Sequence, residues 1–169
     1  MVTGERIGPI GEVAPYISWA YREVEKATGV TFGKPFLEGV LKEGTTIFNS
    51  IPLANALTVF KSYHADQSVQ FASALQKAVY YDGLAPEDIA AYGPLAEEFG
   101  IDGHTFTQQM EEEKFVTRTR QEFRRVQELG VQGFPTMVAE VDSAHYPLVR
   151  GYASLSTLEN QLSAISQEI

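Results

Sequence analysis

A short turn, Gly133-Phe134-Pro135-Thr136, is the segment whose residue types bear most directly on chemistry. It lies between a long amphipathic helical pattern and a β-rich segment. The chain contains no cysteine, so it has neither a thiolate nucleophile nor a second thiol to resolve a mixed disulfide. The sequence therefore predicts that these 169 residues perform no thiol redox chemistry.

Other catalytic patterns are missing from the sequence. His64, His104 and His145 are far apart and show neither the His-x3-His nor the His-Glu-x-x-His spacing of metal sites. The glycines near the N-terminus do not follow a strand or match a phosphate-binding loop, and no Gly-x-Ser-x-Gly elbow occurs. We therefore predict no catalytic residue, no metal and no cofactor. Two interpretations of Tyr80 and Tyr81, beside Asp82, stay open: the rings line a pocket, or they are buried in the protein. Burial is the favoured interpretation.

The composition is that of one globular domain with a real core. The chain has 169 residues, of which 44% are hydrophobic. Its formal net charge of −9 disfavours binding to nucleic acid and to anionic lipid. The apolar runs are too short to span a bilayer, and the N-terminus has neither the basic start nor the apolar block of a signal peptide. We therefore expect a cytoplasmic protein that binds neither nucleic acid nor membrane.

The elements that would position the turn are mostly helices. Apolar periodicity with Gly and Pro punctuation predicts helices over about residues 12–28, 35–43, 51–64, 66–82, 86–99, 105–112 and 114–129, and a last helix from residue 154 or 156. Two strands are expected, at residues 136–141 and 146–150, joined by a turn over residues 142–145. The fold class is therefore mostly α with a small β-sheet.

Each helix is expected to bury its apolar stripe in a core. In the first helix the stripe consists of Ile17, Ala20, Tyr21, Val24 and Ala27. In the last helix it consists of Leu155, Leu158, Leu162, Ile165 and Ile169. Core packing is the usual role of such stripes.

The order of elements resembles the C-terminal two-thirds of the DsbA-like branch of the thioredoxin superfamily. The resemblance covers about residues 49–165 and rests on several segments: Asn49-Ser50-Ile51-Pro52 with Ala56-Leu57, Tyr80-Tyr81-Asp82-Gly83, Pro86-Glu87-Asp88, Phe99-Gly100-Ile101-Asp102, the proline turn, and Arg150-Gly151-Tyr152. It implies an α/β lineage in which a partial thioredoxin-like β-β-α closing unit carries an inserted helical lobe.

The same resemblance assigns a role to the turn. In the family this proline is cis, and the residue before it offers backbone groups to an extended peptide. Gly133, Phe134, Pro135 and Thr136 are therefore the substrate-binding residues that the resemblance implies. The front of the chain departs from the family, because no strand, Cys-x-x-Cys helix and second strand are found before residue 12.

The lack of these elements before residue 12 determines which domain organisation and which partners we expect. We expect residues 1–130, an N-terminal segment with the helical lobe, and residues 131–169, the β-β-α unit, to form one structural domain. A two-stranded hairpin is marginal by itself in water. Its exposed edge must be covered by residues 1–10, by a second copy of the chain or by residues outside this sequence. We therefore predict a homodimer or another association at that edge, with an extended peptide or unfolded protein as ligand.

Three functional hypotheses follow. The first is a disulfide oxidoreductase or isomerase lineage, inactive in that reaction as written, in which Met1 is an internal methionine and an upstream segment carries the cysteines. The second is a cysteine-free module that binds a peptide or partner. The third is a glutathione-using relative of kappa-class transferases and 2-hydroxychromene-2-carboxylate isomerases, in which Ser18 or Ser50 would replace the front-segment serine.

Overall fold

The computed structural model describes residues 3–168, and most of them are helical. They form two compact units, one up to Thr119 and one from Arg120 onwards. The single domain expected for residues 1–130 and 131–169 stays a prediction. Within the described range, no helix combines the length and apolarity needed to cross a membrane.

The first unit is helical apart from one minimal β-ladder. In chain order its elements are β1 (Gly8–Pro9), α1 (Ala14–Thr28), a π-helical segment (Pro35–Leu41), β2 (Ile47–Phe48), α2 (Ile51–Phe60), α3 (Ser68–Tyr80), α4 (Tyr92–Glu97), α5 (Gly103–Met110) and the start of α6 (Glu113–Glu128). β1 and β2 pair antiparallel. Short 3₁₀ turns lie at Gly4–Arg6, Ile10–Glu12, Ala65–Gln67 and Ile89–Ala91.

Local sequence signals account for several helix ends. Gly29 ends α1 with a φ of 74°, and its N–H donates to the Glu25 carbonyl, as a left-handed glycine cap does. Before α2, the Asn49 side chain accepts a hydrogen bond from the Ile51 N–H at 2.9 Å. At α5, Asp102 accepts from the Thr105 N–H at 2.8 Å, which satisfies one of the free donors of the first turn.

The helix predicted to start at Pro86 begins later, at the 3₁₀ turn Ile89–Ala91. Two side-chain hydrogen bonds hold the residues that precede this turn. The buried Tyr92 hydroxyl donates to the Pro86 carbonyl at 2.8 Å, and Glu87 accepts from the Asn49 amide at 2.7 Å. Proline and acidic residues therefore did not determine where this helix begins.

An aromatic core holds the first unit together. Phe60 and Phe71 stack with centroids 4.1 Å apart and an interplanar angle of 3°, and Phe99 meets Phe60 edge-on at 5.1 Å. The rest of this core comes from α2 to α6: Ala56, Val59, Leu75, Tyr92, Ala96, Ile101, Phe106, Met110 and Phe115. A smaller cluster forms around Ile10, Phe36 and Leu41. Helices α2 to α6 therefore contribute apolar side chains to one shared core.

A buried polar cluster joins α6 to α2 inside this core. The Thr119 hydroxyl lies 3.0 Å from the Asn55 side-chain oxygen and 2.9 Å from the Thr58 hydroxyl. The Asn55 amide donates to the Met110 carbonyl, and the Thr58 hydroxyl donates to the Ala54 carbonyl at 2.9 Å. All these polar groups have partners, as burial requires.

The second unit contains the end of α6, the hairpin β3 (Thr136–Val141) and β4 (Ala144–Arg150), and α7 (Leu155–Glu168). The strands pair antiparallel, from Thr136 with Arg150 to Val141 with Ala144. The loop has two residues, Asp142 and Ser143, with φ values of 48° and 67°. β4 therefore starts two residues before the predicted strand, because both loop residues take the left-handed conformation that a tight hairpin needs.

Two predicted apolar stripes are not buried as expected. None of the residues of α1 is buried, and Val24 is 42% exposed. On α7, Leu155 is 71% exposed and Leu162 46% exposed, whereas Ile169 lies outside the described residues. Periodicity identifies which face of a helix is apolar, but another element must lie on that face to bury it.

Candidate functional site

The turn from Gly133 to Thr136 is fixed by two hydrogen bonds. The Gly151 N–H, just after β4, donates to the Pro135 carbonyl at 2.8 Å. The Thr136 hydroxyl donates to the Gly133 carbonyl at 2.8 Å. The peptide bond between Phe134 and Pro135 is cis. The structure thus brings the four predicted site residues together in one ordered turn at the start of β3.

The end of α6 determines where this turn begins. Gly130 adopts a φ of 68°, which ends the helix in the left-handed region. Its N–H donates to the Gln127 carbonyl at 2.9 Å, and the Val131 N–H donates to the Val126 carbonyl at 3.3 Å. These bonds satisfy carbonyls at the helix end, so the chain leaves α6 a few residues before Phe134.

The turn leaves groups open to a ligand. The Phe134 side chain is 55% exposed, and neither backbone group of Phe134 has a hydrogen-bond partner among residues 3–168. Gly133 and Pro135 are exposed and Thr136 is half-buried. In the described part of the chain β3 pairs with β4 alone, so its other edge is unpaired. An extended ligand can meet an aromatic ring and free backbone donors and acceptors here.

Charged side chains on the hairpin form a surface network. Glu140 lies 3.0 Å from Arg125 and 3.4 Å from His145, and all three side chains are exposed by more than a third. Exposed ion pairs of this kind contribute about 0–1 kcal/mol. They provide no nucleophile.

The serines considered for glutathione chemistry lie elsewhere. Ser18 is exposed on α1, and Ser50 immediately precedes α2, so both belong to the first unit rather than to the unit that contains the turn. Over residues 3–168, no three His, Asp or Glu side chains are placed to hold a metal ion.

A groove lies in the first unit, at the two tyrosines for which the sequence left a pocket as the less favoured interpretation. It is open to solvent, has a volume of about 700 Å³ and runs between α1 and α3. Tyr80 and Tyr81 lie along it and are 38% and 46% exposed, so the favoured interpretation of buried tyrosines is wrong. The signal available in the sequence was the pair of aromatic residues at the end of a helix.

Comparison with known proteins identifies the fold to which this turn belongs. Residues 37–163 match the family model of the DSBA-like thioredoxin domain. No curated protein sequence matches the chain.

Solved structures with the same architecture come from two bacteria. A protein of Nitrosomonas europaea, described as a candidate protein disulfide isomerase, has a TM-score of 0.85 and 24% identity over 93% of this chain and 75% of that one. The cytosolic disulfide reductase DsbM of Pseudomonas aeruginosa has a TM-score of 0.75 and 23% identity over 95% and 78% of the two chains. Its structure with GSH has a TM-score of 0.71 and 22% identity, with the same coverage. At these identities the likeness shows the fold, and it confirms the expected helical lobe and β-β-α closing unit.

Proposed function

Because the chain belongs to the family of DsbA-like thioredoxin domains, we propose that it holds extended polypeptide substrate at the Gly133–Thr136 turn. The observation that supports this proposal is the state of Phe134. Its ring is 55% exposed, and within residues 3–168 its backbone groups have no hydrogen-bond partner and the neighbouring edge of β3 pairs with no strand. A peptide strand added along this edge gains main-chain hydrogen bonds, and the ring gives a contact for its side chains.

The proposed function is binding without redox turnover by this polypeptide. Disulfide exchange begins with attack by a thiolate, and the 169 residues contain no cysteine. We expect no reduction of insulin disulfides by the purified polypeptide under conditions in which dithiothreitol alone is slow. A rate above the dithiothreitol control would refute this part of the proposal.

The family pattern adds a proposal about the native protein. DsbA-like domains carry their Cys-x-x-Cys helix between two strands ahead of the helical lobe, and we propose that such an element precedes the sequence described here. The intact mass of the protein from its source tests this. A native product several kilodaltons heavier, with cysteines in the additional segment, is the expected result, whereas a native mass of 18.7 kDa would contradict it.

Calorimetric titration with a capped ten-residue Val/Thr peptide tests the binding role. Covering the exposed 55% of a ring of roughly 200 Å² removes about 110 Å² from water, worth about 2.5–3 kcal/mol. We expect Phe134→Asp to weaken binding at least about tenfold, since part of that gain is lost and a charge is introduced. Leu155→Asp is the matched control, because Leu155 is 71% exposed in the same unit and lies outside the turn. Equal affinity of wild type and Phe134→Asp would refute the proposal.

Glutathione is a second candidate ligand. It is favoured by the structure of Pseudomonas aeruginosa DsbM with GSH, which shares this fold. Glutathione is itself a short peptide, so its backbone suits the same turn. Titration of the protein with millimolar glutathione gives a measurable heat if this hypothesis is right, and the absence of heat ends it together with the kappa-transferase and isomerase alternatives.

We also propose that a second copy of the chain covers the free edge of β3 when no peptide is bound. An unpaired edge promotes association, and two strands are marginally stable alone. Light scattering over a wide concentration range tests this, with a dimer expected and a stable monomer as the contrary result. We further propose a cytoplasmic location, supported by the cytosolic DsbM neighbour and testable by fractionation of source cells.

A further inference from the structure

The groove in the first unit is lined by residues at helical spacing on α1 and α3. Ile17, Ala20, Tyr21 and Val24 of α1 form one wall, at the spacing i, i+3, i+4 and i+7. On α3 the opposite wall has the same spacing: Ser73, Gln76, Lys77 and Tyr80. Residues so spaced lie on one face of a helix, so two helix faces line the groove.

Aromatic rings stiffen the groove. The Phe32 ring lies 5.5 Å from Tyr21 and 5.7 Å from Tyr80, between centroids. Tyr80 also contacts the buried Phe36 at 5.4 Å and Phe48 at 6.2 Å, in both cases ring to ring. Offset and edge-on contacts at these distances are favourable. The ring cluster is therefore held in place before any ligand arrives, and it offers surfaces on which another ring can pack.

The groove contains no uncompensated charge. Among the described residues that line the groove, Lys77 alone has a formal charge at neutral pH. Its ammonium lies 2.7 Å from the Asp82 carboxylate and 5.3 Å from the centre of the Tyr81 ring. The rings packed around Tyr80 desolvate its partly exposed phenol and raise its pKa, so the phenol stays neutral. A ligand carrying a net charge would lose hydration at the apolar walls, where the one cation already pairs with Asp82.

Neutral polar groups are nevertheless available. The side chains of Thr31, Ser73, Gln76 and Tyr80 line the groove and make no hydrogen bond to other residues within the described range. Hydroxyl and amide groups both donate and accept, so they suit hydroxyl, carbonyl or amine substituents. A mostly apolar cleft with a few such groups is the usual form of a small-molecule site.

The dimensions favour a small molecule over a protein. The volume of about 700 Å³ lies within the roughly 300–1,000 Å³ of small-molecule sites. Fourteen residues line the groove, fewer than the roughly 20–30 residues per side of a stable protein interface. From this shape, ring content and charge we propose that the groove binds an uncharged, mainly aromatic small molecule with hydrogen-bonding substituents.

Two probes that differ by one charged group test the proposal. N-phenyl-1-naphthylamine is uncharged, and 8-anilino-1-naphthalenesulfonate has the same ring system with an added sulfonate. Calorimetric titration should give one site for the uncharged probe and an affinity for the sulfonate at least about tenfold lower, since the groove offers that charge no free cation. Equal or tighter binding of the sulfonate would overturn the assignment of an uncharged ligand.

Variants on the two walls locate the site. Ala20→Phe and Ser73→Phe each fill groove volume, and Ser73 is exposed, so its substitution is compatible with folding. Either change should weaken binding of the uncharged probe at least about tenfold, because the ligand loses its space. The matched control is Trp19→Ala, which removes a ring that is 62% exposed on α1 and does not line the groove.

The outcomes are distinct. Loss of binding in Ser73→Phe with retention in Trp19→Ala supports the groove. Loss in Trp19→Ala with retention in Ser73→Phe would place the probe on the outer face of α1 and overturn the proposal. Absence of probe binding by wild type, together with a dimer that Ser73→Phe dissociates, would assign the groove to a second copy of the chain. Circular dichroism spectra of all variants verify that they are folded.

Discussion

The buried hydroxyl of Thr119 gives the sharpest test of how the first unit is held together. Thr119 is 2% exposed, and its partners Asn55 and Thr58 are 6% and 3% exposed. Thr119→Val keeps the shape of the side chain and removes the hydroxyl, so the Asn55 side-chain oxygen, 3.0 Å away, loses its partner in a dry core. Thr58 is less affected, because its own hydroxyl still donates to the Ala54 carbonyl.

The expected loss of stability is that of one unpaired acceptor, because Asn55 loses its partner and Thr58 is less affected. A buried acceptor without a partner costs about 1–3 kcal/mol, and the added methyl group offsets at most about 1 kcal/mol of this. We expect Thr119→Val to lower the free energy of unfolding by about 1–2 kcal/mol, which corresponds to a Tm lower by roughly 3–8 °C for a chain of this size. Urea denaturation followed by circular dichroism measures it, with the m-value expected to stay constant.

Thr117→Val is the matched control, since it is the same substitution two residues away on the same helix. The Thr117 hydroxyl donates to the Glu113 carboxylate at 3.2 Å in an exposed position. We expect its effect to stay within about 0.5 kcal/mol. Adding Asn55→Leu to Thr119→Val should cost less than the sum of the two single changes, because removing both partners leaves no unpaired oxygen. Equal stability of the two threonine variants would refute the reasoning.

Three further predictions concern other parts of the molecule. Gly33→Ala should lower the free energy of unfolding by about 2 kcal/mol or more in urea denaturation, because its Cβ would lie 1.9 Å from the Tyr81 carbonyl oxygen. Gly39→Ala, with no atom within 4 Å of the new Cβ, should change it by less than about 1 kcal/mol. The hydrogen bond from Thr105 lowers the pKa of Asp102 below 3.8, so its stabilisation is present above pH 3.8 and lost as the pH falls through the lowered value. Asp102→Asn should therefore remove this pH dependence of thermal unfolding. If the Tm of the variant depends on pH as that of the wild type does, the Asp102 carboxylate does not stabilise the start of α5 in this way. Peptide binding at the free edge of β3 should convert any dimer to monomer, as measured by light scattering. A dimer that persists at saturating peptide would show that the peptide and the second copy of the chain bind at different sites.

Local signals in the sequence predicted much of the fold. The alternation from Thr136 to Val141 predicted β3 with the bounds that the structure has. Gly29 and Gly130 were the correct ends of α1 and α6, because a left-handed residue interrupts the helical hydrogen-bond pattern wherever it occurs. The turn from Gly133 to Thr136 was visible because its residues are consecutive.

Patterns along the chain did not predict contacts between different elements. The cluster of Thr119 with Asn55 joins residues 64 positions apart, and no pattern along the chain pairs them. The helix start predicted at Pro86 was displaced by hydrogen bonds to Tyr92 and Asn49. The same limit applies to the apolar stripes of α1 and α7, since their exposure depends on which elements lie against them.

The sequence by itself determined the helical content, the closing hairpin, the lack of cysteine in the 169 residues and the position of the proline turn. Each follows from residue type or from spacing along one element. The tertiary structure decided that Phe134 is exposed and that its backbone groups have no partner in the part of the chain that the structure describes. It also decided that faces of α1 and α3 line a groove of about 700 Å³. Exposure and cavities depend on the arrangement of separate elements in space, and periodicity within an element carries no information about that arrangement.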